Sequence, residues 1–465
     1  MGIEKDNAEW SFETDVVVIG SGGCGLSAAM AAGLGGVEVI VLEKQSRPLS
    51  NTARSGGMIP AAGTRFQKAA GIEESAADFA EDIFRKNQHS SDPDMTLHLT
   101  RTSKDLIEWL VDEVEVDLEF IDDFKYPGNS EFRMHAPPSR TGAALVTDMR
   151  KSADAHPKIE VFTDSPCVGL VVDDGGAVTG AIVQRGATQE RVHAKKIILA
   201  CNGFAGNPEM VKIYCPDIVG ALYFGGEGNT GEGILWGQEL GGEVAFMDAF
   251  QAHASVAVPH GILITYALIT EGGFQVNING QRFGNESAGY SKHALAVLSQ
   301  PDGVVWDIYD QKLNELGMSF SGYRQAVEAG AINTVETIQQ LGEKLGVDAQ
   351  QLSKTLEDYH ATANGESDDA FGRPDCKHLT APYYGVKVTG ALFHTQGGLK
   401  VDQDARVLRK DGTPIPNLYA GGGVAAGLSG HGSGGYLSGN GLLTALGYGM
   451  LAGKHAASAI LGEAG

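Results

Sequence analysis

Gly20-x-Gly22-x-x-Gly25 sits directly behind an apolar run, 15–19 (DVVVI), and directly ahead of a small-residue stretch, 26–34. Glycines at this spacing, between a strand and a helix, have a defined chemical use. The first allows a tight turn, the second leaves the backbone room to approach a pyrophosphate, and the third lets helix and strand pack closely. The helix N-terminus then favours the phosphate charge. Glu43 closes a second apolar run, 38–42 (EVIVL), about 20 residues further on, where a carboxylate accepts hydrogen bonds from an adenosine ribose. The glycine pattern alone is weak, but strand, helix, second strand and terminal acid together specify dinucleotide binding.

The 64 glycines of the chain cluster at 20–25, 56–57, 225–233 and 421–441. Glycine gathered in this way marks backbone approached closely by something bulky. Glu43-Lys44 is followed by Ser50-Asn51-Thr52-Ala53-Arg54-Ser55-Gly56-Gly57, then far downstream by Asn202-Gly203 and by Leu418-Tyr419-Ala420-Gly421-Gly422-Gly423. A nicotinamide dinucleotide does not need a distal segment returning to it. FAD is longer and its isoalloxazine must also be held, so FAD is the cofactor predicted. Cys24, Cys167, Cys201, Cys215 and Cys376 form no CxxC pair and no metal-ligand spacing, which reads as free thiols in a reducing compartment, with no metal site.

The elements that must position these residues begin with a βαβ unit over 15–43, whose parallel strands need a crossover helix. A helical stretch is predicted over 75–112, a β-meander over 159–192, and a buried parallel strand at 196–200 (KIILA). The predicted fold is α/β: a Rossmann-type FAD-binding domain in two sequence pieces, 1–240 and 376–465, with an inserted α+β cap domain, 241–375. The cleft between them is the default site.

With 465 residues, 42% hydrophobic content and a net charge of −23, the chain can bury a large core but offers no basic stripe for nucleic acid or anionic membranes. No apolar run approaches the roughly 20 residues of a spanning helix. Residues 1–13 are polar and acidic, unlike a secretory signal, so a cytoplasmic location is expected.

Across nearly its whole length the chain resembles the fumarate reductase and 3-ketosteroid dehydrogenase family of FAD-binding oxidoreductases, closer to the ketosteroid dehydrogenase branch. The residues that carry the resemblance are Val18-Ile19-Gly20-Ser21-Gly22, Asn51-Thr52-x-x-Ser55-Gly56-Gly57, Asn229-Thr230-Gly231-Glu232-Gly233, His394-Thr395-Gln396-Gly397-Gly398-Leu399, Leu418-Tyr419-Ala420-Gly421-Gly422 and Ser438-Gly439-Asn440-Gly441-Leu442. The resemblance implies a cofactor site of Gly20, Gly22, Gly23, Gly25, Glu43, Lys44, Asn51, Thr52, Ser55, Gly56, Gly57, Val168, Asn202, Gly203, Gly422, Gly423, Asn440, Gly441 and Leu442. The helix after Gly439-Asn440-Gly441 would turn its N-terminus to the flavin's N1–C2=O edge. Relatives that attach FAD covalently carry a histidine in the Ser50-Asn51-Thr52 region; Asn51 implies non-covalent FAD. No fused haem or FMN-bearing domain is present, which implies a separate electron acceptor or donor.

In fumarate reductase-like members two arginines and two histidines hold a dicarboxylate. The histidine positions correspond to His253 and His394, but Tyr290 and Tyr436 stand at the arginine positions. Arginine is a charged fork for carboxylates, whereas a phenol is a single neutral donor suited to a ketone oxygen. By resemblance to the ketosteroid dehydrogenases, Tyr436 would polarise the substrate carbonyl, helped by Ser438, and Tyr290 would take the α-proton, with hydride leaving to flavin N5. Tyr126 is a candidate third tyrosine. A tyrosine base near neutral pH needs its pKa lowered from about 10, for which Lys292, His293 and His253 are candidates. His431, in a glycine loop, is a further candidate for substrate contact.

The expected activity is dehydrogenation of a cyclic or steroid-like ketone to its enone, with a small-molecule ketone or activated alkene as partner. The alternatives are a soluble ene-reductase of the fumarate or urocanate reductase type acting on an unsaturated acid, and a flavin-binding electron carrier or sensor without substrate chemistry.

Overall fold

Five strands lie parallel in the order Pro414–Ala420, Thr188–Leu199, Phe12–Ile19, Val39–Leu42 and Ile159–Phe162 in the computed structural model, which describes residues 2–47 and 49–463. Parallel strands covered on both faces require near-continuous apolar runs, and VVVI, VIVL and IIL supply them. The crossover helix Gly23–Leu34 is buried along 23–33 because it lies between this sheet and the C-terminal helix Asn440–Glu463. Gly449 and Gly453 permit that crossing: a Cβ there would come 2.4 Å from the Cys24 carbonyl oxygen and 2.3 Å from that of Ala28.

The meander differs from its sequence reading. Ile159–Phe162 pairs parallel with Val39–Leu42 and extends the main sheet, while the meander proper is Cys167–Val172, Val178–Arg185 and the first half of Thr188–Leu199. The strand expected at 196–200 is the second half of that same 12-residue strand. Its first half pairs antiparallel with Val178–Arg185, and its second half pairs parallel with Pro414–Ala420. The helix expected over 75–112 is two helices, Ala76–Asn87 and Pro93–Asp112. Gln88 and His89 break it at φ +56° and +57°, and Asp92 caps a new start with Pro93 in the first turn, where its missing N–H costs nothing.

A second sheet forms around Tyr383–Thr395, flanked antiparallel by Phe250–Ala257 and Val304–Asp310, with Ile262–Leu263 and Phe274–Val276 outside them. Leu222–Tyr223 and Asn333–Val335 also pair with the long strand. Tyr383–Thr395 therefore lies beyond the 376 boundary drawn from sequence and yet is the centre of the second sheet; Leu222–Tyr223 likewise precedes the boundary at 240. Composition marks a change of texture but not strand pairing, and here the pairing reaches beyond the inserted segment on both sides.

Candidate active site

The glycine turn closes only without side chains. Gly20 has φ +107° and a Cβ there would come 2.5 Å from the Ala200 carbonyl oxygen, while a Cβ on Gly25 would come 1.8 Å from the Gly20 carbonyl oxygen. At the end of the neighbouring strand Glu43 is already oriented: it accepts from the Ser21 N–H at 3.0 Å, the Ser21 hydroxyl at 2.8 Å and the Gln45 N–H at 2.9 Å. Lys44 pairs with Glu232 at 3.0 Å. Asn51 joins three segments, accepting from the Gly226 N–H (2.7 Å) and Asn229 Nδ2 (3.0 Å) and donating to the Phe393 carbonyl (3.1 Å). Thr52 Oγ1 accepts the Gly23 N–H at 3.3 Å, and Ser55 Oγ accepts that of Gly57 at 3.1 Å.

A cavity of about 450 Å³ runs from these residues to the second sheet, a size typical of ligand sites. Asn440, at the start of the helix Asn440–Glu463, is fully buried, and neither end of its side-chain amide has a protein partner. Buried amides are normally satisfied. Asn440 itself does not line the cavity, but its neighbours Gly439, Gly441 and Leu442 do, so the start of this helix borders the cavity where the polar edge of an isoalloxazine would lie, and the residues present fit FAD.

At the other end of the cavity, rings converge. Tyr290 and Tyr436 have centroids 6.0 Å apart, Tyr126 lies 6.0 Å from Tyr290, and His253 lies 4.7 Å from Tyr290 and 5.2 Å from Phe393. His394 is 6.0 Å from Tyr436 and close to Gly441, where a Cβ would meet its Nε2 at 2.8 Å. The Tyr436 hydroxyl stands beside Gly441, where a Cβ would come 3.4 Å from its oxygen, and Gly441, Tyr290 and Gly439 oppose the effect of burial on its ionisation, as Ser438 does for Tyr290. A β-bulge brings consecutive residues to one place: Gln251 pairs with His394 but Ala252 with Leu392, so Phe393 is left over and both Phe393 and His394 line the cavity.

Burial governs the protonation states. It pushes His253 down to about 3 and His394 down to about 4, so both rings are neutral at pH 7. The Ser255 N–H donates to His253 Nδ1 at 3.1 Å, which leaves the ring proton on Nε2. Gln396, its oxygen occupied by the Ser429 hydroxyl, faces His394 Nδ1 at 3.0 Å. Burial pushes Tyr436 up to about 12 and Tyr290 well above its ordinary value, the latter helped by the neighbouring Tyr436 and Tyr126.

A family model described as an FAD binding domain matches residues 15–442. A probable fumarate reductase of Shewanella frigidimarina is 32% identical over 450 residues, 96% of this chain and 75% of that protein. The open conformation of a flavocytochrome c3 fumarate reductase matches at TM-score 0.81 and 31% identity, over 97% of this chain and 79% of that one. The 3-ketosteroid-Δ4-(5α)-dehydrogenase of Rhodococcus jostii RHA1 matches at TM-score 0.76 and 28% identity, over 98% and 100%. The chain belongs to the FAD-binding family. It is an FAD-dependent oxidoreductase of the kind that acts on CH–CH and C=C bonds.

Most residues expected at the site of this flavoenzyme do meet at the one cavity, among them Gly20, Gly22, Gly23, Glu43, Lys44, Asn51, Thr52, Ser55, Gly56, Asn202, Gly422, Gly423, Gly441 and Leu442, with His253, Tyr290, His394, Tyr436 and Ser438 at its far end. Gly25, Gly57 and Gly203 lie behind the wall and serve close packing; a Cβ on Gly203 would come 2.1 Å from Thr395 Oγ1. Val168 is not brought in: its side chain packs with Val171, Ile182 and Trp10, and strand alternation gives the wall to Cys167. His431 also stays outside, exposed and paired with Asp248 at 2.8 Å.

The cations expected to lower the Tyr290 pKa do not do so. His253 touches Tyr290 but is neutral. His293 stacks on Phe283 at 5.2 Å and is pushed down to about 4, and Lys292 lies beside Gly434. Residues not foreseen include Tyr266, 5.8 Å from Tyr290 and donating to the Glu286 carbonyl, together with Arg54, Arg140, Phe224 and Phe320. Their only sequence signal is side-chain type; they come from loops and helix ends of both halves that meet at the cavity.

Proposed function

We propose that this flavoenzyme introduces a C=C bond beside the carbonyl of a cyclic or steroid-like ketone. The observation that carries the reading is the contact of Tyr290 with Tyr436, two neutral phenols at positions where a dicarboxylate would require charged forks. Tyr436 lines the cavity and keeps its proton, which is available to a ketone oxygen. That hydrogen bond draws electrons from the carbonyl and acidifies the α-carbon. FAD, when bound, supplies the acceptor for the hydride that leaves the β-carbon.

Tyr290 receives the α-proton. Because it holds its own proton tightly, the transfer must be a relay: Tyr290 gives up its proton by way of the Ser438 hydroxyl, and finally to water, as it takes the substrate's. His253 and His394 act as neutral ring donors that orient the substrate. Tyr436→Phe removes the activating donor and lowers the rate of flavin reduction by ketone about 10²- to 10³-fold, the scale of losing one oxyanion-type donor. A variant that reduces its flavin at nearly the wild-type rate contradicts the role.

The reverse reading, an ene-reductase for an unsaturated acid, draws support from the two neutral histidine donors and from the similarity to fumarate reductases. Reoxidation of the chemically reduced protein by unsaturated acids, but not by enones, would favour it. Non-covalent FAD follows from a Ser50-Asn51-Thr52 segment that offers no histidine; acid precipitation should leave the yellow colour in the supernatant. The cofactor domain is built on the first sheet and the cap on the second, and the five free thiols fit a cytoplasmic location.

A further inference from the structure

The charged side chains that line the cavity are paired or engaged, with one exception. Lys44 pairs with Glu232 at 3.0 Å and Arg140 with Asp123 at 2.7 Å, while Glu43 is engaged by Ser21 and Gln45. Arg54 lines the same cavity, yet among the described residues it makes no ion pair. Its guanidinium lies over the Phe224 ring at 5.7 Å, and its Nε is buried without a hydrogen-bond partner. A guanidinium is a planar set of five donors that matches a carboxylate two bonds at a time. Held in a cavity without a counter-charge, it is a site for an anion.

Arg54 is turned away from the pyrophosphate turn. In the short helix Asn51–Arg54 the Thr52 hydroxyl takes the Gly23 N–H, and side chains two positions apart on a helix do not share a face. Arg54 instead heads a ladder of rings: Phe224 stacks on Phe393 at 4.9 Å, Phe393 on His253 at 5.2 Å, and His253 lies 4.7 Å from Tyr290. With steps of about 5 Å, the guanidinium and the reacting phenols stand on the order of 10–20 Å apart, enough for a fused-ring skeleton to lie between them.

We infer that the substrate carries a carboxylate at the end remote from the reacting carbonyl, and that Arg54 binds it. The inference rests on the ketone reading only for which end reacts. It separates this protein's substrates from neutral ketones, and it differs from a dicarboxylate site because the charge lies far from the tyrosine pair.

The test uses the FAD-loaded protein and two probes, a 3-ketosteroid with a carboxylic acid side chain and its methyl ester. Binding is read from perturbation of the oxidised flavin spectrum, separately from flavin bleaching. The acid is expected to bind at least tenfold more tightly than the ester to the wild type. Arg54→Gln should abolish that preference and Arg54→Lys should retain part of it, with FAD content and melting temperature as in the wild type. An acid and ester that bind alike, an absence of binding by both, or loss of FAD from Arg54→Gln would overturn the site. Tight, Arg54-dependent binding of the acid without bleaching would keep the anion site and count against the dehydrogenase reading alone.

Discussion

Tyr290 keeps its proton because it is buried beside three other phenols, of which Tyr436 and Tyr126 add to the effect of burial, and that has a consequence for pH. A group whose pKa is raised is ionised in a fraction that grows tenfold per pH unit below that pKa. If deprotonation of the Tyr290 relay limits the α-proton transfer, the rate of flavin reduction by ketone rises steadily through pH 7 to 10, and in Tyr290→Phe the slope disappears along with most of the rate. Stopped-flow bleaching across that range measures it, and a flat profile in the wild type would argue against Tyr290 as the proton acceptor. The two tyrosines and two histidines were legible in the sequence because they sit in recognisable motifs. Their ionisation was not: it depends on what buries them, and the lysine and histidine nearest in sequence, Lys292 and His293, face elsewhere. Arg54 illustrates the same limit, since only the cavity shows that it has no partner.

At the scale of elements, Tyr290 is placed by the turn Glu286–Ala288 ahead of its helix Tyr290–Leu298, and that turn is tied down by charge. Glu286 is buried and accepts from Arg282 at 2.9 and 2.7 Å, with Arg373 at 3.5 Å and Asp369 completing the network on Arg282. Glu286→Ala leaves two buried guanidinium groups short of a partner, and breaking a buried pair in this way costs about 3–5 kcal/mol. Chemical denaturation of the FAD-loaded protein should show that loss, together with a slower ketone reaction as the Tyr290 helix loses its anchor. In the cofactor half, Gly453→Leu drives a side chain into the Ala28 backbone and should weaken FAD binding together with stability, since the helix displaced is the one that opens the glycine turn. The βαβ unit was legible because periodicity and glycine spacing agree. The bulge at Phe393 and the break at Gln88 were not, because each depends on pairing or backbone geometry that residue types leave open.

Across the whole molecule, four histidines, His135, His253, His293 and His394, are almost completely buried and are pushed down to between about 3 and 4. Their unfolded pKa is higher, so the unfolded chain binds protons first as the pH falls. Each ring therefore removes stability at about 1.4 kcal/mol per pH unit below about 6.5, until its folded pKa is reached. Melting temperature should fall steeply between pH 6.5 and 4 and change little between 7 and 8; an unchanged melting temperature at pH 5 would contradict the assigned neutral states. Bound FAD acts in the opposite sense, since free FAD at a hundredfold over Kd adds about 2.7 kcal/mol. The cleft itself joins both sheets, with the strand Tyr383–Thr395 passing from the centre of one to the cofactor side of the other, where Thr395 meets Phe204. The central claim is that this cleft removes hydrogen from a carbon–carbon bond beside a ketone. Mixing the FAD-loaded protein anaerobically with a panel of saturated cyclic and steroidal ketones, and following the flavin's visible absorbance, tests it most directly. The account predicts bleaching with the matching enone as product; no bleaching by any ketone, with reoxidation of the reduced protein by unsaturated acids alone, would contradict it.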